Sequence, residues 1–462
     1  MKINGWAVLG SITLLLVGCH GIPTANEKAS RKQEREVSAM YRPRGKKPPL
    51  PALTPASPFS NFLTYAMLNQ PKVEAAYFDW LASIERITTA RSLPDPQITF
   101  QMDIQSVVTS VMPGLMQAFP GLGKLHAAAD IASADSQAKY FTFQSAVLDT
   151  AFEIKRAYYQ LFFLEDKIRI TTDTLKLLSD LENLARAQNE VGKVTLQDVL
   201  RAQIEQDRLR TDLANLQDSR NALLAEFKAS LGLHPKDPDP PLPQEFESTP
   251  LDASSEKNLA MALVTNKRLR AISAEIQAAA VAIRAAYKAR NPDFTLGLMA
   301  DVKLNPVLYR PLGTLTLPIW RDKIVAQIAE AEANKRATEA RLSSGQLSLA
   351  VDFADKSFTY REATRNVMLL RDQLLPKQRQ SFEVARSGYL AGQIDFFNLT
   401  DAEQTLLRFA LAEVEARTQR EIALAELSLI IAGMSPSGAP SAGGMSGVPA
   451  MPRNAQAANE LK

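Results

Sequence analysis

The chain contains 27 prolines, yet none lies between Pro120 and Pro235, and none between Pro318 and Pro376. Proline inside a helix costs about 3 kcal/mol, because it lacks the N–H for the helical bond and its ring collides with the preceding turn. Two long spans without it therefore permit uninterrupted helices. Lys124 to Val191 as one helix would reach roughly 100 Å at 1.5 Å per residue. Further along that span Leu209, Leu213, Leu216, Leu223, Phe227 and Leu231 keep a three-, four- and seven-residue rhythm, the stripe of a coiled-coil-like rod. Few globular domains have use for a rod of that length. At 462 residues the chain also exceeds one compact core, which leaves either two domains or one elongated, repetitive architecture.

An internal duplication favours the repetitive alternative. Leu68-Asn69-Gln70-Pro71-Lys72-Val73 is echoed by Val264-Thr265-Asn266-Lys267-Arg268-Leu269, and Asp95-Pro96 by Asn291-Pro292, both displaced by 196 positions. Phe119-Pro120 returns as Leu317-Pro318, and Ala185-Arg186, Gly192 and Ala202 return as Ala385-Arg386, Gly392 and Ala402. Each match alone would be noise; their common order predicts two copies of one unit, over 61–234 and 256–434, joined by a proline-rich linker at 235–255. Each copy opens with a helix of about 30 residues, Asn61 to Arg91 and Glu256 to Ala289. A short strand region and the proline-free helices follow.

The strands announce themselves by alternation. Ile98, Phe100, Met102 and Ile104 alternate with Thr99, Gln101, Asp103 and Gln105. Phe294, Leu296, Leu298, Ala300 and Val302 alternate with Thr295, Gly297, Met299, Asp301 and Lys303. Period-two alternation over about ten residues suits an apolar-out, polar-in transmembrane barrel strand, and equally a half-buried strand pair in a soluble domain. Return strands fit Leu115 to Phe119 and Leu312 to Leu317. Four strands cannot close a membrane barrel, where open edges are forbidden, so a barrel would need other copies of the chain.

The N-terminus reads as an export signal over 1–18: Lys2, then an apolar run from Trp6 to Val17, closed by Leu16-Val17-Gly18-Cys19. That ending resembles the lipobox of bacterial lipoproteins, which implies cleavage before Cys19, the only cysteine, and its acylation. His20 in the next position suggests sorting to the outer membrane. The basic, proline-rich stretch at 19–60 is expected to be an extended, poorly packed leader, and the Gly/Ser/Ala/Pro-rich tail at 435–462 to be disordered. Charge is nearly balanced, 53 basic against 50 acidic residues, which argues against a nucleic-acid partner.

Lipobox, duplicated helix–strand–strand–helix unit and two helical turns around Gly192 and Gly392 together resemble the TolC-like outer-membrane efflux family over nearly all of the mature chain. The residues that carry the resemblance are Asn291-Pro292-Asp293-Phe294, Phe119-Pro120-Gly121-Leu122-Gly123-Lys124, the run from Val191 to Leu200, and Tyr389-Leu390-Ala391-Gly392-Gln393-Ile394-Asp395. The implied fold is mainly α, with long helices forming an α-barrel and four strands per chain contributing to a trimeric 12-stranded transmembrane β-barrel. The implied partners of the homotrimer are a periplasmic adaptor, an inner-membrane pump and outer-membrane lipid. The lipobox and the Phe-Pro-Gly-Leu-Gly-Lys segment look more like the lipoprotein branch that includes metal-cation ducts.

Gly192 and Gly392 sit where long helical patterns reverse, and glycine readily takes the left-handed geometry that ends a helix. The resemblance adds that Gly192, Lys193, Val194 and Thr195, with Gly392, Gln393, Ile394 and Asp395, form the hairpin tips that meet the adaptor. Asp401 lies about two and a half helical turns beyond Gly392. In the family a pair of acidic residues near this position rings a closed aperture and binds cations; the first of that pair aligns here with Asn398, and a solvated helix face is the alternative. His20, His126 and His234 are scattered, so no zinc site is expected. No phosphate loop, nucleophile elbow or redox cofactor site is legible, which predicts a non-enzymatic chain. A periplasmic adaptor would need β-rich domains around its hairpin, and a structural coiled-coil lipoprotein would not need membrane-length alternating strands.

Overall fold

The computed structural model describes residues 23–104, 108–242, 246, 248–249, 257–304 and 306–432. In the first half, α1 (Ala25–Tyr41), α2 (Phe59–Asn69) and α3 (Pro71–Arg91) precede strands β1 (Gln97–Ile104) and β2 (Val108–Phe119) and then α4 (Lys124–Glu190) and α5 (Leu196–Ser230). The second half repeats the order with α6 (Lys257–Thr265), α7 (Lys267–Lys288), β3 (Asp293–Asp301), β4 (Leu308–Thr316), α8 (Arg321–Leu369), a π-turn (Leu370–Leu374), α9 (Leu375–Leu390) and α10 (Phe396–Ala432). Helix α4 is one unbroken rod, and α3, α5, α7 and α10 all pack along it.

The expected opening helix of each copy is in fact two helices. In the first copy Pro71 pushes Gln70 into extended backbone, ψ 120°. In the second, Asn266 takes ψ 122° and its side chain accepts from Arg268 N and Leu269 N, capping α7. Both breaks do the same work. Asn69 Nδ2 donates to Leu231 O and Gly232 O, each at 2.9 Å, and Asn266 Nδ2 donates to Ile430 O at 2.8 Å. These are terminal carbonyls of the long helices, which have no intrahelical partner. The duplicated Asn-Gln and Thr-Asn pairs are thus staples that hold the ends of α5 and α10.

The leader corrects a second expectation. The proline cluster begins at Pro43; between Pro23 and Pro43, Ala25–Tyr41 is rich in helix formers and is capped by Thr24, whose hydroxyl accepts from Glu27 N at 3.1 Å. Tyr41 then anchors this helix in an aromatic cluster with Tyr77, Trp80 and Phe143, all buried. Arg42, 3% exposed, pairs with Glu74 at 2.9 Å. The second rod also differs from the first. Ahead of Pro376 the helix widens by one residue, and Leu375 N–H reaches back to Leu370 O, which spares the carbonyl that the proline ring would strike.

Apolar cores are strung along the rods rather than gathered at one centre. One holds Phe59, Phe62, Tyr158, Phe227 and Leu231, and another, at the far end, holds Leu178, Val199, Tyr389, Phe396 and Leu399.

Candidate functional site: a membrane sheet and two hairpin tips

The four strands form one antiparallel sheet in the order β1-β2-β3-β4, so among the described residues β1 and β4 are each paired on one side only. Register sorts the side chains between two faces. Ile98, Leu115, Leu298 and Pro311 share a row, as do Phe119, Phe294 and Leu315, and all these point to one face. Ile98 is 85% exposed and Leu296 55%, an apolar surface with no cover among the described residues. The opposite face carries Thr99, Gln101, Asp103, Ser110, Thr295, Arg310 and Thr314, and Ser110 Oγ donates to Asp301 Oδ2 at 2.6 Å. The return strands are longer than alternation suggests, because Pro113 and Gly114 interrupt the visible pattern of β2 while its ladders to β1 and β3 continue. Among the described residues no helix is long and apolar enough to cross a membrane.

The motifs at the sheet base clamp the two halves together. Asp293 Oδ1 accepts from Gly121 N at 2.6 Å and from Lys124 Nζ at 2.7 Å, while Asn291 Nδ2 donates to Leu122 O at 2.6 Å. A Cβ on Gly121 would stand 2.7 Å from Pro292 O, so only glycine fits that crossing. Beside it the Phe119 and Phe294 rings stack at 5.2 Å, and Leu122, Ile319 and Trp320 are strongly exposed.

At the other end the tips are built alike. Gly192 has φ 70° and Gly392 φ 73°. Lys193 N bonds Gln188 O and Gly192 N bonds Asn189 O; Gln393 N bonds Gly388 O and Gly392 N bonds Tyr389 O, the double closure that satisfies a helix end. Thr195 and Asp198 form a capping box on α5, and Asp395 Oδ1 accepts from Asn398 N at 2.9 Å on α10. Val194 and Ile394 turn inward onto the same apolar cluster, leaving Lys193, Thr195, Gln393 and Asp395 outside. Open space surrounds both glycines, so only their backbone geometry demands glycine. The double variant Gly192→Ala/Gly392→Ala is therefore expected to lose roughly 1–2 kcal/mol at each tip, seen as faster amide exchange there while exchange in the sheet is unchanged.

Asn398 and Asp401 are exposed and line, with Gln393, Ile394 and Glu383, an open groove of about 980 Å³ between α9 and α10. The structure thus brings one set of tip residues together with Asn398 and Asp401 on a single surface. Cys19 lies outside the described residues. Sequence reasoning missed Glu403, which is 2% exposed with Oε1 unpartnered. Burial first, and the neighbouring Glu205 second, push its carboxyl up to about 7. The signal was available: Glu403 lies seven residues after Phe396 and three before Leu406, a charge on the apolar stripe.

A sheet with one bare apolar face, set on a bundle of long rods, is the frame of an outer-membrane channel. The chain belongs to the outer membrane efflux protein family, whose profile matches residues 65–233 and 258–433. It is an outer-membrane efflux channel that extends into the periplasm. The cobalt-zinc-cadmium resistance protein CzcC of Cupriavidus metallidurans is 22% identical over 342 residues, covering 70% of this chain and 77% of that protein. The outer membrane protein VceC of Vibrio cholerae matches in structure with TM-score 0.68 at 17% identity, over 81% of this chain and 96% of VceC. The open state of the MtrE outer membrane channel of Neisseria gonorrhoeae matches with TM-score 0.69 at 18% identity, over 80% of this chain and 88% of MtrE.

Proposed function

We propose that three copies of this chain close a barrel of four strands each, twelve in all, continued by a tunnel of helices. This homotrimer serves as the passive exit duct of a tripartite efflux system, with no catalytic step of its own. The observation that carries the reading is the sheet, apolar on one face and, among the described residues, unpaired at both edges. A membrane sheet must have no free edge, and identical neighbours supply the missing partners. The tips around Gly192 and Gly392 would meet a periplasmic adaptor, an inner-membrane pump would deliver the cargo, and acylated Cys19 would add an anchor. Divalent metal cations are the cargo class we favour, supported by the similarity to a protein named for cobalt, zinc and cadmium resistance.

Symmetry would bring three Asp401 carboxylates to one ring, with Asn398 beside each. In planar bilayers the purified channel, trimeric by mass in detergent, should conduct and be blocked by divalent or trivalent cations. Asp401→Ala should weaken that block and reduce selectivity for cations over anions. A stable monomer with its full β signal would sink the duct, and unchanged block in the variant would return Asp401 to an ordinary solvated face.

A further inference from the structure

A basic cleft of about 310 Å³ lies between α1 and the end of α3, lined by Lys28, Arg31, Lys32, Arg35 and Arg91 with Glu27 at its floor. Lys28 is three and four residues from Arg31 and Lys32, and Arg35 four and three residues beyond them, so they share one face of α1. Glu27 is fully buried and ties the cleft together, its carboxylate 3.2 Å from Arg31 Nε and 2.8 Å from Arg91 Nε. That ion pair fixes guanidinium groups of two helices side by side. Lys28, Lys32 and Arg35 stay exposed at the rim. Arg31 also pairs with Glu85 at 3.1 Å and Lys32 with Glu36 at 4.0 Å, which leaves Lys28 and Arg35 at the rim without an acidic partner among the described residues, an arrangement suited to an anion with several oxygen acceptors.

The level of the cleft says which anion. Arg91 ends α3, six residues before β1 begins at Gln97. Asn26 Nδ2 donates to Asp130 at 3.0 Å, and Asp130 is about 9 Å along α4 from Lys124, which is bonded to Asp293 at the start of β3. At the other end of α1 the Tyr41 ring meets Phe143, so α1 runs alongside α4 with its basic start toward the sheet. Exposed Leu122, Ile319 and Trp320 mark the sheet base as the membrane–water boundary. The cleft therefore opens just on the periplasmic side of the bilayer.

We propose that this cleft binds the phosphate headgroup of an anionic phospholipid in the periplasmic leaflet. The inference rests on the outer-membrane reading for the level of the cleft, and on geometry and charge for its ligand. Basic clefts between helices at a membrane surface recognise such headgroups because fixed cations meet a phosphodiester that cannot diffuse away.

The test uses the full-length protein in its detergent-solubilised assembly, whose native mass reports separately on the duct. Phosphatidylglycerol or phosphatidylethanolamine is titrated in, and retained lipid is counted by native mass spectrometry. Phosphatidylglycerol should be retained preferentially and resist competition by millimolar inorganic phosphate. In Lys28→Gln/Arg35→Gln, which changes two exposed side chains, retention should weaken roughly tenfold, while Lys335→Gln, on distant α8, should have no effect. Equal retention of the two lipids, or unchanged phosphatidylglycerol retention in the double variant, would overturn the proposal. Displacement by inorganic phosphate alone would assign the cleft to a free anion and overturn it too.

Discussion

Replacing Leu298 with arginine is expected to prevent stable insertion of the channel. Leu298 sits in the row Ile98, Leu115, Leu298 and Pro311, halfway along β3 on the apolar face. An arginine facing lipid near the bilayer midplane costs about 2–4 kcal/mol. A homotrimer would carry that penalty three times, roughly 6–12 kcal/mol in all, comparable to the whole stability of an ordinary domain. Thr314→Arg is the matched control. Thr314 is on the adjoining strand in register with Thr295, on the polar face, where a charge would meet a watery lumen. Membrane extraction and a heat-resistant trimer band after detergent treatment read the outcome. Loss for Leu298→Arg with retention for Thr314→Arg is the expected pattern; equal behaviour of the two variants would contradict the assignment of faces.

Glu403→Gln should make the periplasmic end of the rods more stable at alkaline pH and leave it unchanged in acid. The wild-type carboxyl is buried beside Glu205, and burial foremost pushes it from an ordinary 4.5 up to about 7. Below pH 4.5 it is protonated in the folded and unfolded chain alike, and nothing is lost. As pH rises from there to 7, the unfolded chain releases its proton while the folded tip retains it, so stability falls; above pH 7 the loss is complete, about 3 kcal/mol. Glutamine matches the neutral form in shape and has no proton to lose. Amide exchange at Leu399 to Leu406, followed between pH 5 and 8, should rise steeply for wild type once intrinsic exchange is divided out, and stay level for the variant. Parallel curves would mean that the Glu403 carboxyl reaches water.

Much of this architecture was legible because its determinants are local. Proline spacing delimits α4, and glycine marks both reversals. The duplicated Asn69-Gln70 and Thr265-Asn266 pairs stood out in sequence because both copies need an amide to hold the ends of α5 and α10. The signature at Gly121 and Asp293 likewise answers to one crossing at the sheet base. What escaped depends on contacts between distant segments. Prolines from Pro43 onward coloured the reading of α1, whose stability comes from Tyr77 and Phe143 far along the chain. Glu403 becomes unusual only when α5 and α10 are packed together, and the cleft beside Arg91 exists only where α1 is laid against α3.

The π-turn at Leu370–Leu374 gives the second rod something the first lacks. One additional residue advances a helix by about 100° of rotation while lengthening it by about 1.5 Å. It therefore works as a phase shifter: the apolar seam that α8 presents above the turn and the seam that α9 presents below it need not be collinear. It also supplies a natural place to bend, where α4 offers none. Two halves that began as copies can in this way follow different curves through the periplasm. A ring assembled from them alternates between stiffer and more pliant staves, an inequality created by a single proline.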